Sequence, residues 1–285
     1  MSAAERAPAR EFAFHATDHS AIAALTYSKA GILLPPSKAP LVYSRLARRL
    51  RACGISDFST YVALIENDPQ ELAAAIDALT TNHTSFFREG HHFEHFTAEV
   101  WPALSTRLNS GGRCRVWSAA CSSGEEPYTL AMAILGRNRG AASRIGRTDF
   151  RILATDLSGD VLSAARAGRY ASDTVRSIPA GLRETWLDSR EDGTMTIRAE
   201  LRPLVAFRSL NLLEDWPMRQ RFDAIFCRNV MIYFDEPTKA RLQQRLADQL
   251  VPGGMLYIGH SERLDSDVAR NFICVGRTAF RKTAK

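Results

Sequence analysis

From Arg113 onward, short apolar runs alternate with longer amphipathic stretches. Cys114–Ala119, Phe150–Thr155, Val205–Ser209, Phe222–Cys227, Met255–Gly259 and Phe272–Phe280 read as strands. Between them, Glu125–Asn138, Ser158–Ala167 and Glu236–Leu250 read as helices. Such alternation predicts an α/β domain with a mostly parallel sheet covered on both faces.

Upstream the pattern is different. Asp18 to Thr81 reads as helical throughout, with Asp18, Ser37 and Asp57 as expected N-caps. Leu72, Ile76 and Leu79 give a fourth helix one apolar face, and Gly31, Pro35, Pro36, Gly54 and Pro69 punctuate the segment. His91–Leu108 reads as a longer helix that Pro102 can kink. The expected organisation is a loose lead over 1–17, a helical domain and linker over 18–90, and an α/β domain over 91–285. Its insert, at 171–204, carries the segment TMTIR as a strand outside the main sheet.

Composition adds compartment and partners. The chain has 285 residues, 45% of them hydrophobic, enough for a sizeable core. A net charge of +6 favours an acidic partner or reflects scattered basic residues. Cys53, Cys114, Cys121, Cys227 and Cys274 are odd in number and widely spaced, which predicts a reducing compartment. No apolar run follows the N-terminal charges, and no window approaches the ~20 apolar residues of a spanning helix. A cytoplasmic protein is expected.

The chemistry is expected at the carboxyl ends of the strands. Ala119–Glu126 is a turn of small residues opening a helix with two acids. Acids there stabilise a helix dipole, but they repel a pyrophosphate. G-x-G-x-x-G is absent, so a ligand carrying an amine and a sulfonium fits better than a dinucleotide, paired to Glu125 or Glu126. Asp156 ends the next strand, where a carboxylate either grips ribose hydroxyls or caps the following helix. In SLNLLEDWP, Asn211 either makes a turn or bonds an adenine edge while Leu212 packs on the ring. Arg228 and Asn229 fall just past the buried strand FDAIFC, with Tyr233 one turn further on.

Outside the sheet, LTTNHTSFFREGHHF reads as a capped helix start or as a lid bringing Arg88 to the reacting groups. His91 and His95 lie at i,i+4, but no further ligand cluster is evident and no metal is expected. LVYSRLARRLRACG is an amphipathic helix with Val42, Leu46, Leu50 and Cys53 inward. Arg45, Arg48 and Arg51 spread over its other side and Arg49 borders the stripe, as a solvated face or a docking surface.

Taken in order, TTNHTSFFRE, VWSAACSSGEEPYTLA, ATDLS, SLNLLE and FDAIFCRNVMIYFD closely resemble the bacterial chemotaxis receptor methyltransferases, the CheR family. The resemblance covers nearly the whole chain from Asp18 to Phe280. It implies a class I, Rossmann-like methyltransferase domain with a small β insert, behind a small all-helical domain. The implied activity is methyl transfer from S-adenosyl-L-methionine to glutamate side chains of chemoreceptors, leaving glutamyl methyl esters and S-adenosyl-L-homocysteine. It places Asn82, Thr84, Arg88, Glu126, Asp156, Asn211, Leu212, Arg228 and Asn229 at the cofactor. Arg88 and Tyr233 match residues that orient the substrate, and Arg45, Arg48, Arg49 and Arg51 match a receptor-binding basic face. The expected partners are the cytoplasmic methylation helices of receptors, met by a monomer without nucleic acid or direct membrane insertion.

One departure narrows the family. WLDSREDGTMTIR offers only Gly193 where pentapeptide-tethered members have a glycine-rich loop, so this chain resembles the pentapeptide-independent type. A nucleic-acid methyltransferase is disfavoured because CRNVMIYF has neither an Asn/Asp-Pro-Pro-aromatic clamp nor a Pro-Cys nucleophile. A non-catalytic regulator is disfavoured because Arg88, Tyr233 and the cofactor positions are all present.

Overall fold

The computed structural model describes residues 11–80 and 84–283. They form two compact units divided between Thr81 and Asn82.

Four helices make the first unit: α1 (Ala16–Ala30), α2 (Ala39–Cys53), α3 (Phe58–Asn67) and α4 (Pro69–Leu79). Asp57 caps α3, its Oδ1 accepting from Thr60 N at 2.8 Å, as the sequence predicts. Two expected caps are corrected. Asp18 lies inside α1 at its third position, where its carboxylate accepts from His15 N at 2.7 Å and closes a capping box. Ser37 sits in a short 3₁₀ turn, and Lys38 precedes α2. Val42, Leu46 and Leu50 of α2 are fully buried, while Cys53 is only half-buried.

The second unit opens with α5 (His91–His95) and α6 (Trp101–Asn109), joined by a π turn at Phe96–Val100. Pro102 has no N–H to donate, and the widened turn just before it absorbs the fault in place of a sharp break. Then come β1 (Arg113–Ala119), α7 (Glu125–Leu135), α8 (Arg139–Gly146), β2 (Asp149–Asp156) and α9 (Gly159–Ala167). The predicted helix Glu125–Asn138 is therefore too long: Gly136, at φ 56°, ends it, and a separate short helix, α8, follows with Ala142 as its buried residue.

Next, β3 (Arg169–Ala171), α10 (Ala180–Trp186), β4 (Leu187–Ser189) and β5 (Thr194–Ile197) form the insert. β5, the TMTI strand, is central in a separate three-stranded antiparallel sheet. The chain finishes with β6 (Val205–Ser209), β7 (Phe222–Cys227), α11 (Glu236–Asp248), β8 (Leu250–Ile258), α12 (Ser266–Ala269), β9 (Phe272–Gly276) and β10 (Ala279–Lys282). Phe272–Phe280, expected as one strand, is thus a hairpin. Its turn runs through Gly276 to Thr278, which adopts φ 51° without an Asn-Gly or Asp-Gly signal.

The main sheet has seven strands in the order β6-β2-β1-β7-β8-β10-β9. The first five are parallel, and β10 runs antiparallel between β8 and β9. Both faces are buried. Val116, Ile152, Ala154, Ala224 and Phe226 face one apolar cluster, whereas Trp117, Ile225, Cys227, Leu256 and Ile258 face the other. Strand order reverses between β1 and β7, which opens a crevice at their carboxyl ends. No helix among the described residues is long and apolar enough to cross a membrane.

Candidate active site

The turn after β1 is built from strained and small residues. Ala120 and Ser122 hold φ of 58° and 49°, and Gly124 holds φ 93°. A Cβ on Gly124 would stand 2.9 Å from the Ala165 side chain, so only glycine allows α7 to start this close to α9. Three bonds pin the turn: Cys121 N to Thr155 O (2.9 Å), Ser122 N to Asp156 Oδ2 (2.8 Å) and Tyr170 Oη to Ser123 O (2.7 Å).

The two acids of the turn separate. Glu125 is buried, and both of its carboxylate oxygens accept from Ser123 Oγ, at 3.0 and 2.8 Å; burial raises its pKa. Glu126 points the other way, toward the strand tips. It accepts from Ser118 Oγ at 2.7 Å and from Arg228 Nη1 at 3.0 Å. Asp156 does not cap α9, since Ser158 Oγ performs that role for Val161 N at 3.3 Å. The Asp156 carboxylate instead braces the first turn and accepts from Ser158 N at 3.1 Å.

Arg228 is the centre of the arrangement. Its side chain is only 2% exposed, and it stacks at 5.4 Å over Phe93. Besides Glu126, it reaches Glu89 Oε2 at 3.4 Å and donates to the backbone oxygen of Arg88. Its buried Nε has no hydrogen-bond partner, one orphaned donor at this tip. Asn229 adopts φ 59°, with its N–H on Glu262 Oε2 (3.1 Å) and its Nδ2 on Glu89 Oε1 (3.3 Å). Of the six non-glycine residues with positive φ among the described residues, five (Phe87, Glu89, Ala120, Ser122 and Asn229) lie in these converging segments. Strain of about 1–3 kcal/mol per residue persists only where the surroundings over-determine the backbone.

Among the other predicted site residues, Thr84 and Arg88 are half-buried in the segment leading to α5, and Phe87 N bonds Thr129 Oγ1 at 3.1 Å. Asn82 lies outside the described residues. Asn211 and Leu212 follow β6. Asn211 accepts from Leu213 N at 3.0 Å and donates to Glu214 at 3.1 Å, while Leu212 is buried. Tyr233 is half-buried on a 3₁₀ turn past the tip of β7.

Two acids escaped the sequence reading. Glu89 binds Asn229 and also His260 Nδ1 at 3.0 Å. Burial works against its charge, yet the His260 bond and the Arg228 charge outweigh this and hold its pKa at about 2. Glu262 is buried and accepts from three backbone amides, Gly259 N, Asn229 N and Met231 N, at 2.6, 3.1 and 2.9 Å. The signal for Glu262 was its place in HSERL just past a buried strand, the same logic that singled out Arg228 and Asn229.

Of the i,i+4 histidines His91 and His95, His95 Nδ1 is bonded to Tyr257 Oη at 3.0 Å. Glu89, His91 and His92 do bring ligand-type atoms within 4.8 Å of one another, but the Arg228 guanidinium already stands beside Glu89.

The arginines of the basic helix are held in different ways. Arg49 makes a two-pronged pair with buried Glu71, which Tyr61 Oη joins at 2.7 Å. Arg51 pairs with Glu11, and Arg45 Nη1 donates to Leu79 O at 2.7 Å. Arg48 is exposed. The four arginines are thus not equivalent, and Arg49 is primarily a structural group of the helical unit.

Residues 82–280 match the CheR methyltransferase SAM-binding domain, and residues 17–80 match the CheR methyltransferase all-alpha domain. The chain belongs to the CheR methyltransferase family. A probable chemotaxis protein methyltransferase of Rhizobium etli is 43% identical over 267 residues, covering 92% of this chain and 98% of that one. Chemotaxis protein methyltransferases of Klebsiella aerogenes and Escherichia coli are 42% and 40% identical, each spanning 88% of its own length and 92% and 91% of this chain. The crevice at the tips of β1, β2, β6 and β7 is therefore that of an S-adenosylmethionine-dependent methyltransferase.

Proposed function

We propose that this chain transfers a methyl group from S-adenosyl-L-methionine to glutamate side chains of chemoreceptors, forming glutamyl methyl esters for adaptation. The observation carrying this reading is the convergence of Glu126, Arg228, Asn229 and the Arg88 segment on one end of the sheet. It is joined to the family membership and to relatives named as chemotaxis methyltransferases.

The residues fit the donor. The turn carries only short side chains ahead of Glu125, and Gly124 seats it against α9. Glu126, Asp156 and the orphaned Nε of Arg228 supply acceptors and a donor around it. Glu126 and Arg228 would hold the amino-acid end, Asp156 the ribose, and Asn211 with Leu212 the base, beside Asn82, Thr84, Arg88 and Asn229. When bound, this donor supplies an electrophilic methyl on sulfur.

What remains for the protein is alignment. A glutamate side chain, with a pKa near ~4.3, is already an anionic nucleophile at neutral pH, so no general base is assigned. Arg88 and Tyr233 hold that carboxylate in line and exclude water, an effect that can supply on the order of 7–11 kcal/mol. Arg88 must position without neutralising, since a tight pair would blunt the nucleophile.

The chain is proposed as a cytoplasmic monomer acting on receptor methylation helices, independently of a receptor pentapeptide. Arg48 and Arg51 are the exposed members of its docking face, Arg51 being paired with Glu11. The short Arg190–Gly193 turn between β4 and β5 supports the last point. The test is transfer of tritiated methyl to receptor-containing membranes, followed by base treatment. Label released as methanol is expected. Base-stable label, or none, refutes the proposal, and an Arg88→Ala variant with unchanged turnover removes Arg88 from the mechanism.

A further inference from the structure

We propose that the carboxylate of Glu89 is a positioning group of the methyl-donor site, orienting Arg228 and Asn229 together from the segment that leads into α5. The inference rests on the reading that Arg228 and Asn229 contact the donor.

Arg228 and Asn229 are consecutive residues at a strand tip, where side chains would ordinarily diverge to opposite faces. Asn229 escapes that divergence through its φ of 59°. Glu89 then takes both side chains on one carboxylate: Asn229 Nδ2 at 3.3 Å on Oε1, and Arg228 Nη2 at 3.4 Å beside Oε2. No rotamer can easily compensate. The Asn229 amide lies against Gly259 so closely that a Cβ there would stand 2.5 Å from Nδ2.

The charge on Glu89 matters as much as its shape. A guanidinium 2% exposed needs counter-charge, and Glu126 divides its oxygens between Arg228 and Ser118. Glu89 supplies the second anion, and at neutral pH it stays ionised because its pKa is held at about 2. His260 Nδ1, from an exposed side chain, braces the same carboxylate at 3.0 Å. Glu89 itself adopts φ 54°, so its backbone is bent to aim the side chain inward.

The experiment measures S-adenosyl-L-homocysteine affinity by calorimetry, and the KM for donor and for receptor, on the full chain and its variants. Glu89→Gln keeps the shape but turns an acceptor toward Arg228 into a donor, and should weaken the nucleoside by about tenfold or more. Its receptor KM should stay within about twofold of the parent. Glu89→Asp keeps the charge and tolerates the left-handed backbone but draws the carboxylate back by one methylene, and should recover part of the loss. His260→Gln should weaken binding by about twofold to threefold. It carries the test if Glu89→Gln does not fold.

A folded Glu89→Gln variant that binds the nucleoside like the parent overturns the proposal. So does one that only melts earlier with donor KM unchanged. So too does a His260→Gln variant that binds normally, where it stands alone. If Arg228→Ala also binds normally, the reading of the donor site itself has failed. If Arg228→Ala loses binding and Glu89→Gln does not, only the role of Glu89 has failed.

Discussion

Replacing Glu262 should expose how the tip of β7 is held. Its carboxylate accepts from Gly259 N and Asn229 N on Oε2 and from Met231 N on Oε1. Glu262→Ala leaves three amides without their acceptor, at about 1–3 kcal/mol each when buried. Water entering the vacated space recovers part of that, so the expected loss is about 3–5 kcal/mol. Glu262→Gln keeps one oxygen for the Gly259–Asn229 pair and turns its amide toward Met231 N, sacrificing one bond. It also removes a charge that burial disfavours, since the pKa of Glu262 is raised. Its net cost should be about 1 kcal/mol. Urea denaturation of both variants, with unchanged m-values, checks the ordering. Because the Glu262 bond supports the φ of 59° at Asn229, nucleoside affinity should fall in Glu262→Ala as well. An alanine variant within about 1 kcal/mol of the parent, or a glutamine variant worse than alanine, would refute the reasoning.

Three further outcomes follow from the same geometry. Gly259→Ala puts a Cβ 2.5 Å from Asn229 Nδ2 and 2.8 Å from its backbone nitrogen, and should cost about 1–3 kcal/mol together with nucleoside affinity; calorimetry that finds neither loss contradicts the contact. The pKa of Glu89 is lowered from 4.5 to about 2, so its ionised form contributes about 3 kcal/mol above the higher value, lost as pH falls through the lower one. The stability gap between parent and Glu89→Gln should therefore narrow as pH drops, and a gap independent of pH rejects the assignment. Arg49→Ala strips buried Glu71 of its cation and should cost about 2–3 kcal/mol in the helical unit, whereas Arg48→Ala should leave stability alone and weaken receptor methylation. Denaturation curves set beside methylation rates separate the two.

Strands were the easiest part to read. Phe222–Cys227 is bounded by Arg221 and Arg228, Val205–Ser209 follows the breaker Pro203, and the structure reproduces both. The hairpin within Phe272–Phe280 was missed because it carries no turn dipeptide, and α8 because its stripe is short, Ala141, Ala142 and Ile145 within eight residues. Asp156, Arg228 and Asn229 could be placed at one end of the sheet because each stands at or just past the end of a strand that a period argument can place, and Glu126 because it opens the helix after the small-residue turn. The role of Glu89 was hidden: it closes the motif TTNHTSFFRE, but its partners Asn229 and His260 are 140 and 171 positions away.

Local grammar therefore settled the class of fold and the ends of strands where the crevice opens. These depend on period, small-residue turns and charge, all carried by neighbouring positions. Tertiary structure alone decided which of Glu125 and Glu126 faces the crevice, that Arg49 is committed to Glu71, and that Glu89 and Glu262 shape the tip of β7. A buried charge takes its meaning from partners brought near by the fold, and distance along the chain says nothing about them.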